Sequence, residues 1–349
     1  MDQEAQAKTL NVEGAVKDIL NTIDRERERE IIARRFGLFD RRETLEQIGE
    51  LLGITRERVR QLEKAVITRL KAAAASDLPH IKNVEAVLSR HLNDMGKVAR
   101  VSDISDRLAK NNSRTSQAQV AFLANLSPNI AVIDDNDHFF HSIGLAGEHT
   151  EKAIRERVAK IIDAISDIGQ PTDIKTVADK VGSKDVKHTE ALAGISKNIA
   201  TLNGRWGLVK WPMVNPKNIR DKIYVILHDN GKPMHFNEIA EAIKKSNLRR
   251  RDVTTQAIHN ELIKDPRFVL IGRGIYALKE WGYKKGTVAD VIAEVLRKEG
   301  GPLHRDEIVR RVLKSRQVKE TTILLNLQGK PQFKRVAKAT YALAEPAKS

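Results

Sequence analysis

Arg56, Glu57, Arg60, Gln61 and Lys64 fall within nine residues and, at helical spacing, on one side of a rod. Guanidinium and carboxamide groups make paired hydrogen bonds to guanine and adenine edges, and a carboxylate accepts from the amino group of cytosine. A row of such side chains on a rigid helix is chemistry for reading base edges. The same pattern also describes an amphipathic helix whose charged face is merely solvated, and periodicity alone does not separate the two.

Two helices must hold that row in place. Leu45, Ile48, Leu51 and Leu52 recur at helical spacing and give a first helix one apolar stripe, expected to be buried. Gly53 supplies a sharp turn. Thr55 is a natural N-cap for the second helix. Val59, Leu62, Val66 and Leu70 hold the second helix to the first, leaving the charged face outward. The stretch Thr44 to Leu70 reads as a helix-turn-helix.

Together with the upstream IDRERERE-IIARRFGL (Ile23 to Leu38), this stretch resembles region four of the bacterial primary sigma factors. The matching words are RERE, RRFGL, TLEQIG and ITRERVRQLE, in the family's order and nearly its spacing. The resemblance implies that the second helix enters the major groove of an upstream promoter element. It puts Arg56, Glu57, Arg60 and Gln61 at base-reading positions and Thr55, Arg58 and Lys64 at phosphate positions. It also implies that the helix around Ile31 to Leu38 docks on the flap of the RNA polymerase β subunit. A strand-melting region would have to precede region four, and the chain reaches region four within its first twenty-five residues. Promoter melting by this chain alone is therefore not expected.

Composition narrows the class. The 349 residues suffice for two or three ordinary domains, or more if they are small. There is no cysteine, which excludes disulfides, thiolate zinc sites and thiol nucleophiles. No apolar run approaches a membrane span, and the polar start does not look like a signal peptide, so a soluble, intracellular protein is expected, and the sigma resemblance implies a bacterial cytoplasm and association with the nucleoid. The formal charge of +15 is uneven: zero over 1–80, +2 over 81–212, and +13 over 213–349, where twenty-eight Lys and Arg face fifteen Asp and Glu. A C-terminal part this basic favours a polyanionic partner.

The remainder repeats itself. GKVARVSDIS (Gly96 to Ser105), GQPTDIKTVA (Gly169 to Ala178), GKPMHFNEIA (Gly231 to Ala240) and GGPLHRDEIV (Gly300 to Val309) each join a preceding amphipathic helix to a following one. Each repeat closes on a hairpin-like piece containing an aromatic, aligned as Phe140, Trp206, Tyr276 and Tyr341 at intervals of 66, 70 and 65 residues. Three helices and a hairpin describe a winged helix. The expected fold class is mainly α with small β wings, a sigma-like helix-turn-helix followed by four tandem winged helices. The expected boundaries are a polar helical lead at 1–22, the sigma-like unit at 23–78, and modules at 81–146, 150–213, 218–283 and 286–345. The third module, through GKPMHFNEIAEAI and DPRFVLIGRGIYALKEWGY, resembles the HARE-type winged helix at the start of the RNA polymerase delta subunit. The fourth is similar but weaker, the second keeps NGRWGLVKW, and the first is the most diverged.

The third helix of a winged helix is the usual groove reader. In the third module Arg249, Arg250 and Arg251 are the candidate phosphate clamp, before the reading face Thr254, Thr255, Gln256, His259 and Asn260. In the fourth, Lys314, Arg316 and Lys319 play that part before Thr321 and Thr322. A solvated basic surface on a protein-binding module would look the same. The first two modules, nearly neutral, are expected to make protein contacts or act as spacers. His138 and His141 beside three aspartates are expected to be turn or core residues rather than metal ligands, because a strand does not put i and i+3 on one face. Gly272-Arg-Gly274 lacks the glycine and helix of a nucleotide loop. No cofactor, metal or catalytic site is expected.

The functional expectation is a sequence-specific DNA-binding protein of transcription initiation or regulation, docking on core polymerase. Two alternatives stay open: an accessory polymerase subunit working through protein contacts, and the DNA-targeting subunit of a nuclease or modification system. The sequence leaves the oligomeric state open.

Overall fold

Capping side chains set the start of three of the four N-terminal helices. A computed structural model describes residues 10–109, 111–147, 150–246, 248, 254–283, 286–314 and 316–344. Asn11 accepts from the Gly14 amide at 3.0 Å and opens α1 (Val12–Asn21). After α2 (Glu26–Phe36), Thr44 opens α3 (Leu45–Leu52) with a reciprocal capping box: the Thr44 hydroxyl accepts from the Gln47 amide, and the Gln47 side chain accepts from the Thr44 amide. Gly53, at φ 63°, ends α3 in the left-handed region, where a Cβ is penalised. Thr55 then caps α4 (Arg56–Ala74), accepting from the Arg58 amide at 3.2 Å.

The chain divides into two compact units, Met1–Lys210 and Trp211–Ser349. In the first, α1 to α4 lead into α5 (Ile81–Asp94), β1 (Val98–Arg100), α6 (Val101–Leu108), α7 (Arg114–Leu126), β2 (Ile130–Ile133) and β3 (Ser142–Leu145), with the antiparallel sheet order β1-β3-β2. Then come α8 (Glu151–Ile168), α9 (Ile174–Lys180), α10 (Val186–Gly194), β4 (Ile199–Leu202) and β5 (Arg205–Leu208). Here the first strand is reduced to a single bridge, Thr172 to Trp206.

The second unit holds α11 (Ile219–Asn230), β6 (Met234–His235), α12 (Phe236–Lys245), α13 (Thr255–Lys264), β7 (Phe268–Gly272) and β8 (Ile275–Leu278), ordered β6-β8-β7. It continues with α14 (Val288–Glu299), β9 (Leu303–His304), α15 (Arg305–Leu313), α16 (Glu320–Gly329), β10 (Phe333–Ala337) and β11 (Thr340–Leu343), ordered β10-β11-β9. Helix, extended piece, two helices and hairpin therefore recur four times, with the last strand in the middle wherever three strands form.

Register corrects the alignment of the first repeat. In every repeat, the residue just before the N-cap of the second helix pairs with the last strand. Those pairs are Ala99 with Ile143, Thr172 with Trp206, Met234 with Tyr276 and Leu303 with Tyr341. The counterpart of Trp206 is thus Ile143, not Phe140. Phe140 lies before β3, its ring covered by the Arg100 guanidinium 3.9 Å from the centroid.

One apolar cluster runs from Leu10 to Ile143. Val12, Ala15, Val16, Ile19 and Leu20 are all buried, so residues 12–21 are a core helix rather than a polar lead. The cluster also bridges the expected boundary between the sigma-like unit and the first repeat. The helix-turn-helix keeps a small core of its own, Ile31, Ile48 and Val59, with Leu45, Leu52, Ile54 and Leu62 packed on it. Leu51, expected on the buried stripe, is 55% exposed, because α4 crosses α3 on the side of Ile48 and Leu52.

Candidate nucleic-acid interface

The outer face of α4 is built from the side chains whose spacing first drew attention. Thr55, Arg56, Glu57, Arg58, Arg60, Gln61 and Lys64 are all exposed, while Val59, Val66 and Leu70 on the opposite side are buried. The inner face is pinned by ion pairs that spacing did not reveal. Glu28 is only 5% exposed, accepts from Arg69 of α4, and takes Arg25 at 3.4 Å. Arg35 reaches Glu63 at 3.2 Å. These contacts tie α4 to α2 and fix the direction in which the outer face points.

On that outer face the polar groups bond mostly to each other. Arg60 donates to both oxygens of Glu57, at 2.8 and 2.7 Å, and Gln61 adds a bond to Glu57 at 3.3 Å. Arg58 donates to Gln61 at 3.4 Å, and Arg56 pairs with Glu46 of α3 at 2.9 Å. The Arg60 hydrogen bond holds the Glu57 carboxyl below its usual range, and Glu57 raises the Arg60 guanidinium in return. Both stay charged at neutral pH. Solvent-exposed pairs of this kind contribute little net stability, so a partner offering better acceptors and donors can replace them. The arrangement is a pre-positioned, water-facing fork of donors and acceptors.

The resemblance assigned the Ile31–Leu38 face to a polymerase flap, and here that face is covered. Every residue from Glu28 to Leu38 is buried or partly buried. Helix α7 packs against α1, α2 and α4. Phe122 meets Phe36 edge-on with centroids 5.2 Å apart, and the Gln119 side chain donates to the Leu38 carbonyl at 2.7 Å. As the third helix of the first repeat, α7 is also spent on this packing: Gln119, Val120, Ala121, Phe122, Leu123, Ala124 and Leu126 are buried. The sequence carried a signal for this. From Thr115 to Ile133 there is no charged residue, and a helix without a charged face has no side that must stay in water. The third helix of the second repeat, α10, packs on β1. His188 bonds the Gly96 carbonyl at 2.7 Å, and Arg100 donates to the Gly194 carbonyl at 2.6 Å. A Cβ at Gly96 would stand 2.5 Å from the Lys187 carbonyl oxygen, so only glycine permits this approach.

In the second unit the candidates separate. Arg249, Arg250 and Arg251 lie outside the described residues. On α13, Thr254 is the N-cap, accepting from the Ala257 amide at 3.2 Å, and Gln256 bonds Asn260 at 3.1 Å; all three side-chain bearers are exposed. Thr255 is half-buried. His259 is half-buried too, set between Phe236 (4.9 Å) and Tyr276 (6.2 Å), so packing takes much of a ring expected to read bases. Lys314 and Lys319 are exposed. Arg316 is a correction: it is 6% exposed, and its guanidinium donates to the carbonyls of Leu270, at 2.6 Å, and Gly286. Burial lowers its pKa, and it is not available to a phosphate. His138 is exposed on a turn and His141 is half-buried. Among the described residues, no group of three or more His, Asp or Glu side chains could hold a metal ion.

Comparison with known proteins bears on α2 to α4. Residues 25–72 match the family "Sigma-70, region 4". "RNA polymerase sigma factor SigA" from Bacillus sp. is 42% identical over 62 residues, which is 18% of this chain and 16% of that protein. The chain thus carries an N-terminal sigma region 4 domain, a DNA-binding domain of RNA polymerase sigma factors, and this accords with a DNA-binding role in transcription. The match accounts for a small part of either protein. No helix among the described residues is long and apolar enough to cross a membrane.

Proposed function

We propose that this chain is a sequence-specific DNA-binding protein of transcription, reading promoter-like duplex through Arg56, Glu57, Arg60 and Gln61, with Thr55, Arg58 and Lys64 on the flanking phosphates. The four repeats are winged helices on this reading, the third of the HARE type and the fourth a weaker, HARE-like copy, and they carry no catalysis. The observation behind it is the two-sided design of α4: an inner face locked by Glu28, Glu63 and buried Val59 and Val66, and an outer face whose polar groups bond chiefly among themselves. Such a face gains by exchanging exposed pairs for base edges. Contact with core polymerase belongs to the same reading, but the Ile31–Leu38 face is occupied by α7, so docking uses another surface or displaces that helix. Helices α7 and α10 serve the architecture, leaving the second unit to hold neighbouring DNA. The setting is a bacterial cytoplasm.

Selection of bound duplexes from a random pool by the full chain tests this. The wild-type protein enriches a motif, and Arg60→Ala relaxes discrimination at one base position by roughly 5- to 100-fold. An unchanged motif in the variant would refute the groove assignment.

A further inference from the structure

The hairpin of the fourth repeat differs from those of the first and third. Phe333 anchors β10 in the core, and the next five residues, Lys334 to Lys338, are all exposed. By contrast Val269 and Ile271 on β7 are fully buried. The β2–β3 connection carries Asp134, Asp135 and Asp137. Between Glu320 and Glu345 there is no acidic residue, whereas Lys330, Lys334, Arg335 and Lys338 fall there. None of the four is paired with a carboxylate among the described residues; Arg335 donates only to the Ala337 carbonyl, at 3.3 Å. The register shifts at Arg335/Ala337, a bulge that twists the hairpin.

The neighbouring third helix lacks what the hairpin has. Helix α16 contains no Lys, Arg or His, and it exposes Leu325 at 68%. With Arg316 committed to two carbonyls, a phosphate-binding row before α16 is reduced to Lys314 and Lys319. We propose that this repeat holds nucleic acid by its hairpin, Lys330, Lys334, Arg335 and Lys338 contacting the phosphate backbone of duplex DNA independently of sequence. The inference rests on the reading that the chain works on DNA, and extends it to a second site. At about 3.3 Å per residue the stretch 334–338 reaches about 13 Å. Duplex DNA presents one charge per ~1.7 Å of axis, so a stretch of that length runs past several phosphates. Edge strands also carry lysine simply to block strand addition, and β10 is an edge strand. Salt dependence separates the two roles.

The test is the full chain with Lys330→Gln, Lys334→Gln, Arg335→Gln and Lys338→Gln, titrated with selected and random duplexes from about 50 to 200 mM salt. Expected are a fall of about 3.6 in the slope of log affinity against log salt, for both duplexes, with the preference between them kept. A thermal midpoint equal to wild type shows that the exposed changes leave the fold intact. A slope change under about 1 overturns the proposal and makes the lysines edge guards. A kept preference with that result leaves the reading of α4 standing. Loss of slope in a protein with no preference at all supports the hairpin and sinks α4.

Discussion

At the residue scale, charge alone does not tell a reading side chain from a structural one; its partner does. Glu57 shares its carboxylate with Arg60 and Gln61 on an open face, so its removal should act on binding. Glu57→Gln weakens the hold on Arg60 and removes a negative charge from the face proposed to meet DNA. Affinity for random duplex should rise several-fold while discrimination falls, as read by competition between selected and random sequences. A fall in affinity for both would place Glu57 elsewhere than against the DNA. Arg316 is the opposite case. Arg316→Met leaves the Leu270 and Gly286 carbonyls without their donor, at a cost of roughly 1–3 kcal/mol for each acceptor left unpaired. The urea midpoint of the second unit should drop accordingly, with the salt slope of DNA binding unmoved. Lys314→Gln should do the reverse, taking about 0.9 from that slope and leaving stability alone. Nothing in the local sequence distinguishes these two cations, because the acceptors of Arg316 lie 46 and 30 residues away.

At the scale of elements, the notable feature is that α7 roofs the sigma-like helices. Phe122 is fully buried, so Phe122→Ala should cost about 3–5 kcal/mol and loosen α2 as well as the first repeat, visible as faster amide exchange at Ile32 to Leu38. A fragment ending at residue 78 should lose helix content or aggregate, since Val16, Ile19, Ile32 and Leu38 would lose part of their cover; residues 1–210 should unfold cooperatively. A stable, monomeric 1–78 fragment would show that the roof is dispensable. What was legible beforehand follows the same division. Thr44, Gly53 and Thr55 act within a few residues of themselves, so the helix-turn-helix and its exposed face could be read from spacing. Val12, Val16, Ile19 and Leu20 recur at helical spacing in a stretch expected to be a polar lead, because spacing does not show what covers them. Leu51 fitted the stripe and still faces water, because only the crossing of α4 decides which part of a stripe is used. Phe140 fitted the aromatic spacing, but pairing across the sheet assigns that place to Ile143.

At the scale of the whole chain, the two units carry different titrating groups and should answer pH differently. In the first unit, burial lowers the pKa of His91 and of His141. A depressed histidine favours the folded state above its ordinary value of about 6.5, and that contribution is lost as pH falls through the folded value. Protection of the amides in residues 10–147, relative to the intrinsic exchange rate at each pH, should therefore fall between pH 7.5 and 5.5, and the double change His91→Gln with His141→Gln should flatten that response. In the second unit the sign is reversed. Burial, with a hydrogen bond to Glu280, pushes Tyr224 up to about 12. A tyrosine so raised contributes its stability in full below its ordinary value of about 10, and the contribution drains away as pH climbs towards 12. All four tyrosines, at 224, 276, 283 and 341, lie in this unit, so phenolate absorbance reports on it alone. A spectrophotometric titration of the full chain should show a late component near pH 12 that Tyr224→Phe removes, together with part of the alkaline loosening of the second unit. Ionisation of all four near pH 10 would mean that the Tyr224–Glu280 contact does not hold in solution.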